Sequence, residues 1–155
     1  MNKKFLPKLL TVGCWNIQGL HVKVNGVKLC KLDNESFTNT IKKFDLLCLQ
    51  ETHTSQLENF KIQNYVTIAH CCIMSKNNRY FGGMLLFIKK SLRKGILIKQ
   101  DFDVDALKIT LRNDFFGLKN DINIMFTYAS PVNSCYTKSR GENILEKIET
   151  QIVDA

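Results

Sequence analysis

A chain of 155 residues with 45% apolar residues and a formal net charge of +8 fits one globular domain spanning residues 1–155, long enough to bury a core. No apolar run approaches the ~20 residues of a membrane-spanning helix, which argues against a helical membrane protein. The charge excess is uneven. Between Glu58 and Asp101 there is no acidic residue, while Lys61, Lys76, Arg79, Lys89, Lys90, Arg93, Lys94 and Lys99 fall in the same stretch. A one-signed field of this kind attracts polyanions, nucleic acid first, although a solvated lysine-rich surface has the same composition.

At the start, Lys3 and Lys4 precede an apolar stretch as in a secretion leader, but Pro7 and Lys8 interrupt it and no small-residue cleavage site follows. No signal peptide is therefore expected. The next run, Leu9 to Trp15, reads as a buried strand broken by Asn16 and Gly19. Asp33 and Asn34 are helix caps by type, and Phe37, Ile41 and Phe44 follow at helical spacing, which predicts an amphipathic helix over residues 34–43. Asp45 to Gln50 is a second buried strand and Tyr65 to Ala69 a third. Gly82-Gly83 opens a strand at Met84 to Ile88, and Ile96 to Lys99 is short and β-like. From Ala106 to Leu111 the side chains alternate, Leu107, Ile109 and Leu111 inward against Lys108 and Thr110 outward, as in a half-exposed strand. Ile122 to Ala129 is a further strand. After Gly141, residues Ile144, Leu145, Ile148 and Ile152 line one face of a closing helix that runs to Ala155 without a stop signal, so the chain reads as cut. The order of elements predicts an α/β fold with a mixed sheet.

The six cysteines, Cys14, Cys30, Cys48, Cys71, Cys72 and Cys135, include no C-x-x-C pair and hence no zinc-ribbon or redox signature. Cys14 and Cys48 lie in strand-like apolar runs, where a free thiol packs as a small hydrophobe. This points to a reducing compartment, nucleus or cytoplasm.

Three residues share one structural situation. Asn16 follows the first strand, Glu51 the second, and Tyr128 lies near the end of a later one. Open α/β sheets gather ligands outside the carboxyl ends of their strands, and a right-handed strand–helix–strand unit sets the first two ends on one edge. Glu51 offers a hard oxygen donor suited to Mg²⁺; a solvated glutamate opening a loop is the plainer alternative. Asn16 offers a donor and an acceptor for a phosphate oxygen or a turn, and Tyr128 a phenol for phosphate or simply a wet tip on a sheet. His53, two residues after Glu51, is a metal ligand or a loop histidine, and His21 and His70 have no partner visible in the sequence. Gly82-Gly83 lies in no phosphate-cradling glycine motif and reads instead as a sharp turn into a strand.

WNIQGL, DLLCLQETH, YFGGMLLFIKKSL and the Tyr-x-x-Pro segment YASP occur in that order. Together they resemble the endonuclease/exonuclease/phosphatase superfamily of DNase I-like enzymes, and most closely the endonucleases of non-LTR retrotransposons. The resemblance covers nearly the whole chain. It implies a four-layer α/β sandwich, two mixed sheets between helices, present here in part. It implies Mg²⁺- or Mn²⁺-assisted hydrolysis of a phosphodiester, with DNA the substrate, or a small phosphate ester in the manner of the superfamily's phosphatases. By the same resemblance Glu51, with Gln50 beside it, binds the metal, Asn16 positions the scissile phosphate and its water, and Tyr128 touches the phosphate. The family's later Gly-Asp-x-Asn and Ser-Asp-His segments do not occur in this chain, and no histidine is assigned as base. General-base assistance contributes ~10²–10⁴-fold, so catalysis by this chain alone is expected to be very poor. A non-catalytic, basic nucleic-acid-binding module built on the same fold is the alternative. Half a sandwich leaves apolar sheet surface open, which predicts poor solubility or dependence on another chain.

Overall fold

The computed structural model describes residues 9–55, 59–70, 73–74, 80–101, 106–129, 146 and 148–150. Its centre is a four-stranded mixed sheet in the order β1 (Val12–Asn16), β4 (Leu46–Gln50), β8 (Met84–Lys89), β5 (Tyr65–His70). β1 and β4 run parallel, with Asn16 opposite Gln50, while β8 is antiparallel to both β4 and β5. A second, antiparallel sheet takes the order β11 (Ile122–Thr127), β10 (Ala106–Leu111), β9 (Ile96–Asp101). Two short antiparallel pairs are the remaining strands among the described residues, the hairpin of β2 (His21–Val24) with β3 (Val27–Cys30), and β6 (Ile73–Met74) with β7 (Tyr80–Phe81). Among the described residues the complete helical elements are α1 (Glu35–Ile41), the single turn α2 (Asn113–Phe116) and two 3₁₀ turns, Lys31–Asp33 and Lys90–Gly95, and residues 146 and 148–150 are also helical. No helix among the described residues is long and apolar enough to cross a membrane.

Strand alternation builds two cores. Leu46, Cys48, Met84, Leu86 and Ile88 project from the first sheet onto Ile96, Leu107, Ile109, Leu111 and Phe126 of the second. The intervening residues Leu47, Leu49, Leu85 and Phe87 project the other way, onto Ile17, Leu20, Ile41 and Tyr65, with Phe37 of α1 packed alongside. The order is therefore helix, sheet, sheet, and Ile148 packs with Ala106 on the outer side of the second sheet. This is the α/β fold with a mixed sheet that the order of elements predicts, and its two stacked sheets are consistent with part of the sandwich that the resemblance implies. β4 is buried along its apolar run because both its faces are covered, which is why its sequence shows no alternation.

Helix α1 starts where its cap chemistry places it: the Asn34 side chain accepts from Phe37 N at 3.1 Å. The strand expected at Leu9 to Trp15 requires correction. β1 begins at Val12 and is mostly exposed, because it is an edge strand of the sheet with β4 on one side only among the described residues. Cys14 is exposed for the same reason and is not packed as a core hydrophobe, whereas Cys48 is buried. Cys71, Cys72, Cys135 and most of the closing helix lie outside the described residues, as do Ser130 and Pro131 of the YASP segment.

The two thiols face each other across the β1–β4 register. A hydrogen bond with Cys48 lowers the Cys14 thiol, outweighing its burial, while the same bond and desolvation push Cys48 well up. Cys14 is therefore expected to alkylate with iodoacetamide at a lower midpoint pH than an ordinary thiol, and Cys48 to react only on unfolding. Peptide mapping across a pH series checks both; equal labelling of the two in the native state would contradict the assignment.

At the far end of the first sheet Asp45 closes the β1–β4 connection. It accepts from Thr11 N at 2.9 Å, Thr11 Oγ1 at 2.8 Å and Lys89 Nζ at 2.8 Å. Burial pushes this carboxyl up, but the donors outweigh it and the net direction is down. A carboxyl lowered on folding contributes stability above its unfolded value near 3.8, lost as pH falls through the lower folded value. Asp45→Asn is expected to cost about 1 kcal/mol at pH 7, the size of a half-exposed ion pair with its hydrogen bonds. In urea titrations at pH 7 and pH 3 the gap between wild type and variant should shrink at the acid end; a constant gap would argue against the pairing.

Candidate active site

The carboxyl ends of β1, β4 and β5 and the amino end of β8 form one rim. Asn16, Gln50, Met84 and His70 stand side by side across it. The second sheet brings the carboxyl end of β11 to the same rim, and side-chain amides join the two sheets there. Gln50 Nε2 donates to Thr127 O at 2.7 Å, and Gln100 Nε2 donates to Ala69 O at 2.9 Å.

Glu51 begins the loop immediately beyond this row. The loop is held from both sides by backbone hydrogen bonds: Gly19 N to Glu51 O at 2.6 Å and Leu20 N to Thr52 O at 2.8 Å on one side, Thr52 N to Gly83 O at 3.2 Å and His53 N to Gly82 O at 3.0 Å on the other. Within it Thr52 and Thr54 are buried, their hydroxyls 3.2 Å apart. This clamp holds Glu51 and His53 in left-handed backbone, at φ 53° and 52°, with Gln18 opposite at φ 50°. Such conformations cost a non-glycine residue about 1 kcal/mol or more each and persist only when the surroundings over-determine them.

The Glu51 carboxylate is half-buried and accepts a hydrogen bond from the Tyr128 hydroxyl, Oη to Oε1 2.5 Å. Seventy-seven positions separate the two residues in sequence, and Tyr128 directly follows a strand of the second sheet while Glu51 follows one of the first. Gly82 lies against the phenol ring: a Cβ there would sit 3.4 Å from Tyr128 Cδ1, at ordinary van der Waals contact. What requires glycine is the backbone, at φ +65° and +83° for Gly82 and Gly83, and the pair thus turns the chain into β8, as its sequence suggests. Asn16, on the neighbouring strand end, is exposed, and its Oδ1 accepts from Gln18 N at 3.1 Å. This is the turn contact that an asparagine at a strand end invites. Among the described residues its amide nitrogen has no hydrogen bond, leaving two N–H donors at the rim.

The three histidines are distributed differently. His53 is exposed, with Nδ1 3.5 Å from where a Cβ on Gly19 would lie. His70 is buried at the end of β5, and His21 stands in β2 with its ring 6.5 Å from that of Phe60. Among the described residues no three His, Cys, Asp or Glu side chains converge on one point.

A model of the endonuclease/exonuclease/phosphatase family matches residues 13–137, which run from β1 past Tyr128. The chain belongs to that family. A search of curated proteins finds no match. The family's enzymes hydrolyse phosphate esters and generally depend on a divalent metal. The donor set at the rim fits such a cation: Mg²⁺ takes one or two carboxylates and completes its shell with waters and substrate oxygens, and Glu51 supplies one half-exposed carboxylate beside open space.

Reading the sequence missed one component of this rim. The β2–β3 hairpin rises beside it, closed by Asn25-Gly26 at φ 50° and 80° between Val24 and Val27. An Asn-Gly pair between alternating apolar residues is the strongest short-range hairpin signal, so the hairpin was legible at Val22–Leu29.

Proposed function

We propose that the chain is a Mg²⁺- or Mn²⁺-dependent phosphodiesterase domain acting on DNA, of the type carried by non-LTR retrotransposons. The observation that carries this reading is the contact between Tyr128 and Glu51 at the strand end next to Asn16. In this reading Glu51 holds the cation. When bound, that cation supplies Lewis-acid stabilisation of charge on phosphate and leaving-group oxygens. Tyr128 fixes the carboxylate by donating to Oε1, its phenol lying at the edge of the phosphate's place, and Asn16 donates its amide N–H groups to a phosphate oxygen. The rigid strand ends keep these groups in place before substrate arrives.

No described residue is assigned as general base, so the chain carries the metal- and phosphate-binding part of a centre and turns over slowly by itself. Among the described residues β1 has a strand on one side only, and its other side, with the exposed Val12 and Trp15 beside it, is the surface on which a further segment or another chain would complete the site. Supercoiled-plasmid nicking with Mg²⁺, alongside an EDTA control, tests the reading. Slow Mg²⁺-dependent nicking supports it; hydrolysis of small phosphate esters without nicking would move the chain to the family's phosphatases. A second reading, a non-catalytic DNA-binding module, is favoured by the acid-free basic stretch between Glu58 and Asp101. Salt-sensitive DNA binding with no nicking at any metal concentration would select it.

A further inference from the structure

Beside the rim lies a cavity of about 550 Å³, lined among the described residues by His21, Val22, Lys23, Lys28, His53, Tyr80 and Phe81, none of them acidic. It adjoins the Glu51 loop along two covalent paths. His53 is two residues beyond Glu51, and Tyr80-Phe81 leads directly into the Gly82-Gly83 pair whose carbonyls hold that loop. The hairpin supplies the third wall. In its register Lys23 stands directly opposite Lys28, and both are exposed. Like charges in directly opposed positions destabilise a strand pair. The cost falls at this one register position: Val22 opposite Leu29 and Val24 opposite Val27, all exposed, are apolar pairs. Two lysines opposed in the hairpin register and lining one cavity with Tyr80 match an anion joined to a flat π-system.

Resting on the phosphodiesterase reading, we infer that this cavity is a subsite for a nucleotide flanking the scissile phosphate. Lys23 and Lys28 take its phosphate and Tyr80 stacks its base. The substrate of such a site is a nucleic-acid strand, because a small phosphate ester held at Glu51 has no second phosphate and base to place there. Lysines positioned on the backbone contribute affinity that falls with salt, whereas stacking on an aromatic side chain is tolerant of sequence and insensitive to counterion release.

The two contributions separate in one experiment. Fluorescence anisotropy of a labelled single-stranded oligodeoxynucleotide in EDTA, across a salt series, reads affinity without any dependence on the metal. Lys23→Ala/Lys28→Ala is expected to weaken binding about 10-fold at 0.1 M salt and to lower the log–log salt slope by about 0.7, the contribution of the one single-strand phosphate that is no longer neutralised. Tyr80→Ala is expected to weaken binding at least about 5-fold with the slope unchanged. Removing the opposed lysines relieves repulsion, so the double variant stays folded. The control is Lys42→Ala/Lys43→Ala, two exposed lysines at the end of α1 and outside the acid-free stretch, which is expected to leave affinity unchanged. Equal losses from both lysine pairs, or an unchanged slope in the hairpin variant, would overturn the subsite. Its failure is distinct from failure of the hydrolase reading. Hairpin-dependent binding without Mg²⁺-dependent nicking keeps the subsite and removes the enzyme, and nicking indifferent to the hairpin variant does the reverse.

Discussion

Glu51→Ala is expected to abolish the binding of one Mn²⁺ per chain and to lower Mg²⁺-dependent nicking on the order of 10³-fold, several kcal/mol of lost Lewis-acid stabilisation. Among the described residues of the rim loop the carboxylate is the one hard anionic donor, and its neighbours Gln50 and Asn16 are uncharged amides, Asn16 Oδ1 already accepting from Gln18 N. The fold should survive the change. The backbone of Glu51 is held through its carbonyl by Gly19 N, and alanine tolerates φ 53° about as well as glutamate. Electron paramagnetic resonance of Mn²⁺ reads the cation directly and so does not depend on turnover being fast. Tyr128→Phe should fall between wild type and Glu51→Ala, since it keeps the carboxylate and removes the donor that fixes it, a hydrogen bond to a charged group that contributes about 1.5–3 kcal/mol. A Glu51→Ala variant that binds Mn²⁺ and nicks like wild type would remove the basis of the proposed function.

For stability the largest expected loss is at Phe87. It sits on β8, between β4 and β5, and is fully buried against the helix side of the sheet. Its ring meets Tyr65 edge-on at 6.4 Å, and Leu47 and Thr67 flank it across the register. Phe87→Ala removes that packing and leaves a cavity that strands on both sides cannot close, so a cost of about 3–5 kcal/mol is expected. That is a large share of the ~5–15 kcal/mol that holds a domain together. The single tryptophan, Trp15, lies 4.9 Å from Phe37 of α1, so its fluorescence follows urea unfolding. Phe87→Leu should recover most of the loss. A cost below about 1 kcal/mol for Phe87→Ala at unchanged m-value would mean that β8 is not the centre of the sheet.

Local patterns carried much of this architecture. The two-residue alternation from Ala106 to Leu111, the unbroken apolar run of β4 and the cap at Asn34 each state a short-range preference; the strand at Ala106–Leu111 formed with the bounds expected, β4 one residue shorter at its start, and α1 closed at Ile41, two residues before the expected end. β1 was misread because Leu9 to Trp15 has the composition of a buried strand, and composition cannot tell an edge strand from a central one. The β2–β3 hairpin was missed for another reason: its turn signal was present, but its apolar residues are exposed and mark no core. Sequence order and motif spacing identified Asn16, Glu51 and Tyr128 as a set without showing that any two of them touch.

By itself, then, the amino-acid sequence determined the α/β class, the basic character of the middle of the chain and the residue types at three strand ends, because these follow from nearest-neighbour sterics, side-chain periodicity and charge. Only the tertiary structure decided that Tyr128 donates to Glu51, that its ring lies against Gly82 and that two lysines of a hairpin share a cavity with a tyrosine. Those juxtapositions join positions far apart along the chain, and which of many possible partners meet is fixed by sheet order and register rather than by any local preference.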